Sequence, residues 1–517
     1  NSLGPSGQPI DRERYVCDAS GEVQWDPQRD RVYTERLAGL RDDLRTGGTP
    51  EYEISGDITF PLGPGSLKLI ALDAYDEELS DSVIIDTVAS SGAATGDRFA
   101  RSGGDGERIG RFEYSWPMLG GEWQLSGEAA FNRLERVSEL FELAPDGSFT
   151  ETINPVFTAD KRPEDVGAVF FDADGDIDLD LYVVSGSYEF DENSDLLQDR
   201  LYINQGNYKF KRSKKLPILK SAGSVVKASD YDNDGDIDLF IGGRVIPGKY
   251  PYAPFSYLLI NNNGNFVDGT KQYAKAIEKV GLVTDAQWND IDNDNDLDLV
   301  ITGEWMGIEV FENNKGYLTK TNNFTDLAAT KGWWNKIVIE DIDGDGDKDI
   351  IAGNLGLNYK FHASREKPFH IYTNDFDNNG TEDIVLAKYY NSKQVPVRGK
   401  SCSTQQMPFL KEKIKTYNEF ANSDLEGILG VNINSSLHYE AVEFKSGIFI
   451  NNGNNQFSFS PFPIEAQTAP INSIIYEDFD NDGLKDLLMV GNNYLSEVET
   501  TRADAGIGVY LKGKENG

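Results

Sequence analysis

The chain has 517 residues, 86 of them acidic and 49 basic, with a formal net charge of -37. The length supports two or more domains with proper cores, and the acidity excludes nucleic acid and anionic membrane surfaces as partners. Two cysteines, Cys17 and Cys402, exclude a disulfide framework, and no run of about 18 apolar residues offers a transmembrane helix.

Residues 1–155 read as a β-rich segment of uncertain fold. After Asp26-Pro27, the stripe Tyr33, Leu37, Leu40, Leu44 predicts a short amphipathic helix, stopped at Gly47-Gly48. Alternating segments follow from Gly65 (GSLKLIALDAY), Glu107 (ERIGRFEYSW) and Glu122 (EWQLSGEAAFNRLE), separated by Gly- and Asp-rich stretches such as SGGDGE that read as turns. The pattern predicts paired antiparallel strands, and in texture residues 50–150 resemble part of a TonB-dependent receptor barrel. The resemblance implies an association with the bacterial outer-membrane surface. No signal peptide opens the sequence, so export would make these residues a mature form or a part of one. The segment holds 13 Arg and one Lys up to residue 160, against 7 Arg and 28 Lys afterwards. This switch points to a different origin for the two halves.

From 156 to 517 the sequence is dominated by one repeated loop. In DYDNDGDIDLF, Asp230, Asp232, Asp234, Asp236 and Asp238 alternate with other residues before an apolar run begins. Unpaired, such a run repels itself; around a hard cation it becomes a ligand set. Ca²⁺ takes six to eight oxygens, and carboxylates at positions one, three and five, a turn at six, a carbonyl at seven and a closing acid fit its shell. Here the closing acid stands at position nine and a strand follows, so the site is strand-loop-strand. The frame recurs at Asp172, Asp174, Asp176, Asp178, Asp180; at Asp290, Asp292, Asp294, Asp296, Asp298; and at Asp341, Asp343, Asp345, Asp347, Asp349. Two further copies are Asp375, Asp377, Asn379, Thr381, Asp383 and Asp478, Asp480, Asp482, Leu484, Asp486. Thr381 and Leu484 at position seven offer only a carbonyl. The six loops hold 27 aspartates out of 56 acidic residues from 161 onward, so bound calcium would neutralise most of that segment's excess charge. Asn295 at a turn position is compatible with the left-handed conformation, whereas β-branched Ile177 should resist it and weaken the first loop.

A second element recurs between the loops: LYINQGNYKF from Leu201, LLINNNGNFVD from Leu258, VFENNKGYL from Val310 and IFINNGNNQF from Ile448, each a hairpin signature. Repeats of short strands at this spacing predict an all-β fold, a β-propeller of six or seven blades. Residues 390–445, rich in helix formers, read as an insertion between blades.

The DxDxDGxxDL loops followed by Leu-Phe-Ile-Gly-Gly or Leu-Val-Ile-Thr-Gly resemble FG-GAP/VCBS repeats, the calcium-loop blades of integrin α-subunits. KRPEDVGAVFFDADGDIDLDLYVVSG, GGRVIPGKYPYAP and GNLGLNYKFHASREKPFHIYTNDFD are similar to bacterial VCBS-repeat proteins related to cartilage acidic protein, over residues 161–513. The resemblance implies an extracellular or cell-surface propeller with about five or six calcium ions, used for adhesion or for binding a protein or glycan. Against an enzyme stand the absence of a nucleophile elbow, phosphate loop or zinc spacing. The competing reading is a polysaccharide-lyase-like propeller, for which Lys360, His362, Arg365 and Trp333-Trp334 are the residues to line a cleft, with His370 and His438 the remaining histidines. A third reading joins an outer-membrane receptor fragment to a surface propeller.

Overall fold

The computed structural model describes residues 154–206, 209–494, 500 and 502–514, together with the strands of the preceding part named below. The chain divides into two compact units, Asn1–Ile153 and Asn154–Gly517.

In the first unit β1 (Tyr15–Cys17) pairs with β2 (Val23–Trp25). Strands β3 (Tyr52–Leu62), β4 (Gly65–Thr87), β5 (Ala94–Met118), β6 (Gly121–Leu143) and β7 (Phe149–Glu151) form an antiparallel meander in sequence order. The three alternating segments lie in β4, β5 and β6. The stretch Ser102–Glu107, expected to turn, instead runs straight through β5, with Ser102 opposite Leu79 and Val137 and Glu107 opposite Ala74 and Asn132. Ladder partners on both sides satisfy its backbone, which overrides the local turn preference of Gly and Asp. The helix expected at Tyr33 to Leu44 lies outside the described residues.

The second unit is all-β in its framework. Its first sheet comprises β8 (Glu164–Phe171), β9 (Asp180–Gly186), β10 (Arg200–Asn204) and β11 (Phe210–Arg212). The second holds β12 (Ala222–Ser229), β13 (Asp238–Val245), β14 (Tyr257–Ile260) and β15 (Val267–Asp268). The third holds β16 (Leu282–Asn289), β17 (Asp298–Met306), β18 (Glu309–Asn313) and β19 (Leu318–Lys320), with β20 (Gly332–Trp333) paired to the far end of β17. The fourth begins with β21 (Lys336–Glu340) and β22 (Asp349–Gly353). There the chain departs to build a separate sheet from β23 (Phe369–Asn374), β24 (Asp383–Tyr390), β25 (Lys393–Pro396) and β26 (Leu437–Ala441). It then returns with β27 (Gly447–Asn451) and β28 (Phe457–Pro461) to complete the fourth sheet. The last sheet is β29 (Ser473–Glu477), β30 (Asp486–Val490) and β31 (Val509–Leu511).

The second strands explain the serial packing. Leu239 and Ile241 of β13 sit in a core with Tyr182, Val184 and Leu201 of the first sheet, while Phe240 between them faces a core with Val283, Leu299 and Ile301 of the third. Val300 in turn faces Ile337, Ile350 and Ala352 of the fourth, and Ile351 faces Ile474, Leu487 and Met489 of the last. Successive side chains leave a strand on opposite faces, so a strand buried on both must read as a continuous apolar run. Each such side chain contributes about 1.5–3 kcal/mol on burial. Five sheets therefore stand in series, and the β23–β26 sheet branches from the fourth. One face of that branch is covered by Met407, Leu410, Phe420, Leu425 and Ile428 from short helices between residues 400 and 429. The interruption is longer than the sequence indicates, running from 354 to 446, because β22 and β27 pair across it. This also explains the irregular spacing of the fourth, fifth and sixth loops.

Candidate metal centres

Every Asp-rich loop joins the first two strands of a sheet in chain order, and all six share one backbone path. Position one folds the chain back on itself by accepting N–H groups, with both carboxylate oxygens in five loops and in the second with Asp230 Oδ2 alone, from Gly235 at 3.2 Å. Asp172 accepts from Gly175 and Ile177 at 2.8 and 2.9 Å, Asp290 from Asp294 and Asn295 at 3.0 Å each, and Asp375 from Asn379 and Gly380 at 2.9 and 2.8 Å. The path needs a left-handed residue twice. At position four these are Gly175, Asn233, Asn293, Gly344, Asn378 and Asn481, all Gly or Asn, with φ between 59° and 79°. At position six φ is 94° for Gly235, 72° for Asn295 and 76° for Ile177.

Ile177 thus adopts the conformation it was expected to resist. Its side chain is 92% exposed, so it gains nothing from packing and the strain, on the order of 1–3 kcal/mol, is carried by the rest of the loop. Ile177→Gly is expected to raise the melting temperature by a degree or two in a thermal melt, since the side chain contributes no buried contact. A lower melting temperature would show that Ile177 is not strained.

The closing aspartates Asp180, Asp238, Asp298, Asp349, Asp383 and Asp486 are all buried, at 5% exposure or less. Each of the serial sheets fastens its own with an N–H at the end of the third strand. Asn204, Asn261, Asn313 and Asn451 donate to Asp180, Asp238, Asp298 and Asp349 at 2.7–2.8 Å, and Gly513 donates to Asp486 at 2.8 Å. Two of these asparagines also bridge sheets. Asn261 Nδ2 donates to the Ala173 carbonyl of the first loop at 2.9 Å, and Asn313 Nδ2 to the Tyr231 carbonyl of the second at 2.7 Å. The hairpin segments were legible as turns; that their asparagines hold the loops was not, because the contact depends on which sheet lies next door.

Carboxylates do converge. Oxygens within 4.8 Å of one another come from positions one, three and five in Asp230, Asp232, Asp234 and in Asp290, Asp292, Asp294. They come from positions one, three and nine in Asp172, Asp174, Asp180, in Asp341, Asp343, Asp349 and in Asp375, Asp377, Asp383. In all six loops position five also accepts the N–H of position seven, at 2.7–3.1 Å. Among position-seven residues, Asp236 and Asp347 turn their side chains to Asn263 N–H and Asn293 Nδ2 at 3.1 and 2.9 Å.

The donor set fits a hard cation. In the second loop Asp230 Oδ1, Asp232 Oδ1 and Asp238 Oδ2 are buried without a hydrogen-bond partner, as are Asp174 Oδ1 and Asp178 Oδ1 in the first. Oxygens that only accept, buried together with no donor, are costly unless a cation sits among them. Burial, opposed by the asparagine N–H and reinforced by neighbouring carboxylates, pushes the carboxyl of Asp238 up to about 8, Asp298 to about 7 and Asp180 to about 6. Asp349 and Asp383 are raised for the same first reason.

The residues proposed to line a catalytic cleft stand in unlike surroundings. Trp334 is fully buried between the third and fourth sheets and donates its indole N–H to the Thr330 carbonyl. Trp333 stands in an aromatic cluster with Trp305, Phe361, Phe369 and Phe444. His362 is exposed. His370 Nδ1 lies 2.9 Å from His438 Nε2 on the neighbouring strand, and burial lowers His370 to about 4. One cleft of about 450 Å³ is lined by Gln198, Asp199, Arg212, Ser213, Lys214, Leu216, Pro217 and Ile218, none of them among the residues named for catalysis.

Residues 290–352 match the FG-GAP-like repeat family. The matched stretch runs from the third loop through the rest of its sheet to the second strand of the next, so the sequence repeat is out of phase with the sheet. No curated protein matches the chain.

Proposed function

We propose that the second unit is a calcium-stabilised β-propeller that binds a protein or glycan outside the cell and has no catalytic activity. The five sheets in series are its blades, and the β23–β26 module with its helices stands beside them as an added surface. The observation that carries this reading is the convergence of carboxylates in loop after loop, with buried oxygens left without donors in the first two, beside a stretch of FG-GAP-like repeat character. Asp230, Asp232 and Asp234 would hold the ion with their side chains, Asp236 with its carbonyl, and Asp238 from the second strand, with the equivalent residues in the loops that begin at Asp172, Asp290, Asp341 and Asp375. Calcium bound there supplies charge compensation. The protein's own residues fix the loop path, exclude water from the closing aspartate and tie each loop to the next sheet. Extracellular calcium modules work with Kd near 10⁻⁴ to 10⁻³ M, matched to millimolar calcium outside the cell. The meander of the first unit, with strands of 23, 25 and 23 residues, supports placing the chain at an outer-membrane surface under the same reading.

Equilibrium dialysis against calcium is expected to load about five ions per chain in the millimolar range. Incubation with acidic polysaccharides is expected to give retention without new unsaturated or reducing ends. Cleavage lost on replacing His362 or Arg365 would favour the lyase reading instead, and no calcium uptake would end the metal reading.

A further inference from the structure

The sixth loop follows the same path as the others but is filled differently. Lys512, directly after β31, sets its ammonium against Asp480 and 3.0 Å from Asp482, positions three and five of the loop. Asp486 accepts N–H groups on both oxygens, from Gly513 at 2.8 Å and Phe479 at 3.2 Å, as Asp180, Asp298 and Asp349 do from theirs, and takes in addition the Tyr510 hydroxyl at 2.7 Å. In the first four sheets the residue before the corresponding asparagine is Ile203, Ile260, Glu312 or Ile450, and none of these can bring a positive charge to its loop. The second loop makes the contrast, since Asp230, Asp232 and Asp238 there each keep a buried oxygen with no partner.

Resting on the reading of the other five loops as calcium sites, we infer that Lys512 is a built-in cation that takes the place of calcium in the loop from Asp478 to Asp486. A lysine ammonium is a compact point charge with three donors on a flexible stem. Set between two carboxylates, it offsets the repulsion that would otherwise open the loop. A divalent ion entering the same loop meets that ammonium and must displace it, so the site is closed to calcium by charge as well as by occupancy. The last sheet thereby keeps its order when calcium is scarce, while the five loops before it do not.

The full chain and its Lys512→Met and Lys512→Arg variants are compared by calcium equilibrium dialysis and by thermal melts in EDTA and in millimolar calcium. Lys512→Met is expected to bind one more calcium per chain than the parent. It should lose several degrees of melting temperature in EDTA and little or nothing in calcium, where the ion replaces the lost charge. Lys512→Arg, which keeps a cation, should match the parent in both. An unchanged number of ions, with a melting loss equal in the two buffers, overturns the inference. Should neither parent nor Lys512→Met take up calcium, the reading of the other five loops fails. The melts in EDTA then decide for Lys512: a loss that Lys512→Arg restores keeps its role as the loop's cation, and no loss removes it.

Discussion

Removing calcium from the full chain with a chelator is expected to lower the melting temperature of the second unit by roughly 5 to 10 °C, with magnesium restoring little of it. Binding to the native state alone stabilises by RT ln(1 + [L]/Kd), so with Kd of 10⁻³ to 10⁻⁴ M each site at millimolar calcium adds only about 0.4 to 1.4 kcal/mol. The effect is large because five loops sum to about 2–7 kcal/mol on the same arithmetic. Magnesium holds its waters and demands a tight octahedron, which a flexible many-oxygen loop does not offer. A single substitution sharpens the test. Asp232 keeps a buried oxygen without a partner, so Asp232→Ala should destabilise the protein in calcium, where a ligand is lost. In EDTA it should be neutral or stabilising, because a repelling carboxylate has gone. A melting curve indifferent to chelator, or an Asp232→Ala cost that is the same in both buffers, would remove calcium from the account.

Asn313→Ala is expected to cost about 3–5 kcal/mol, measured by denaturant unfolding in calcium. Asn313 is 3% exposed. Its Nδ2 donates to the carbonyls of Tyr231 at 2.7 Å and Leu297 at 3.1 Å, and its Oδ1 accepts from Gly316 N–H at 2.9 Å. Truncation leaves these buried groups without partners, at about 1–3 kcal/mol each before relaxation. It also cuts a bond between the second loop and the third sheet. Asn204→Ala is the control. That side chain reaches only Leu179 of its own sheet at 3.2 Å and Gly206 N–H at 3.1 Å, so its loss should cost about half as much. The Asn313 cost should persist in EDTA, since it comes from protein hydrogen bonds. Equal losses for the two asparagines would show that the bridge between sheets adds nothing.

Features that act over a few residues are legible in the chain. The loops are visible because Asp230, Asp232 and Asp234 are near neighbours at a spacing that lets their oxygens converge. The buried second strands are visible because Leu239, Phe240 and Ile241 must all be apolar if both faces are covered. Even the left-handed turn residues are local, and Ile177 was recognisable as the one that does not suit its place. What the tertiary structure alone decided are contacts between distant segments. Asn313 meets Tyr231 across 82 positions, His370 meets His438 across 68, and Lys512 meets Asp480 across 32. The pairing of Ile351 with Ile448 makes the fourth sheet straddle an entire module, where the sequence suggested a shorter insertion. In β5 the ladder on both sides carried Ser102 to Glu107 through as strand against their own turn preference. Local spacing sets which atoms can converge within a loop. Which loop lies beside which strand is set by the burial of whole faces, and that energy belongs to pairs of sheets rather than to any stretch of chain.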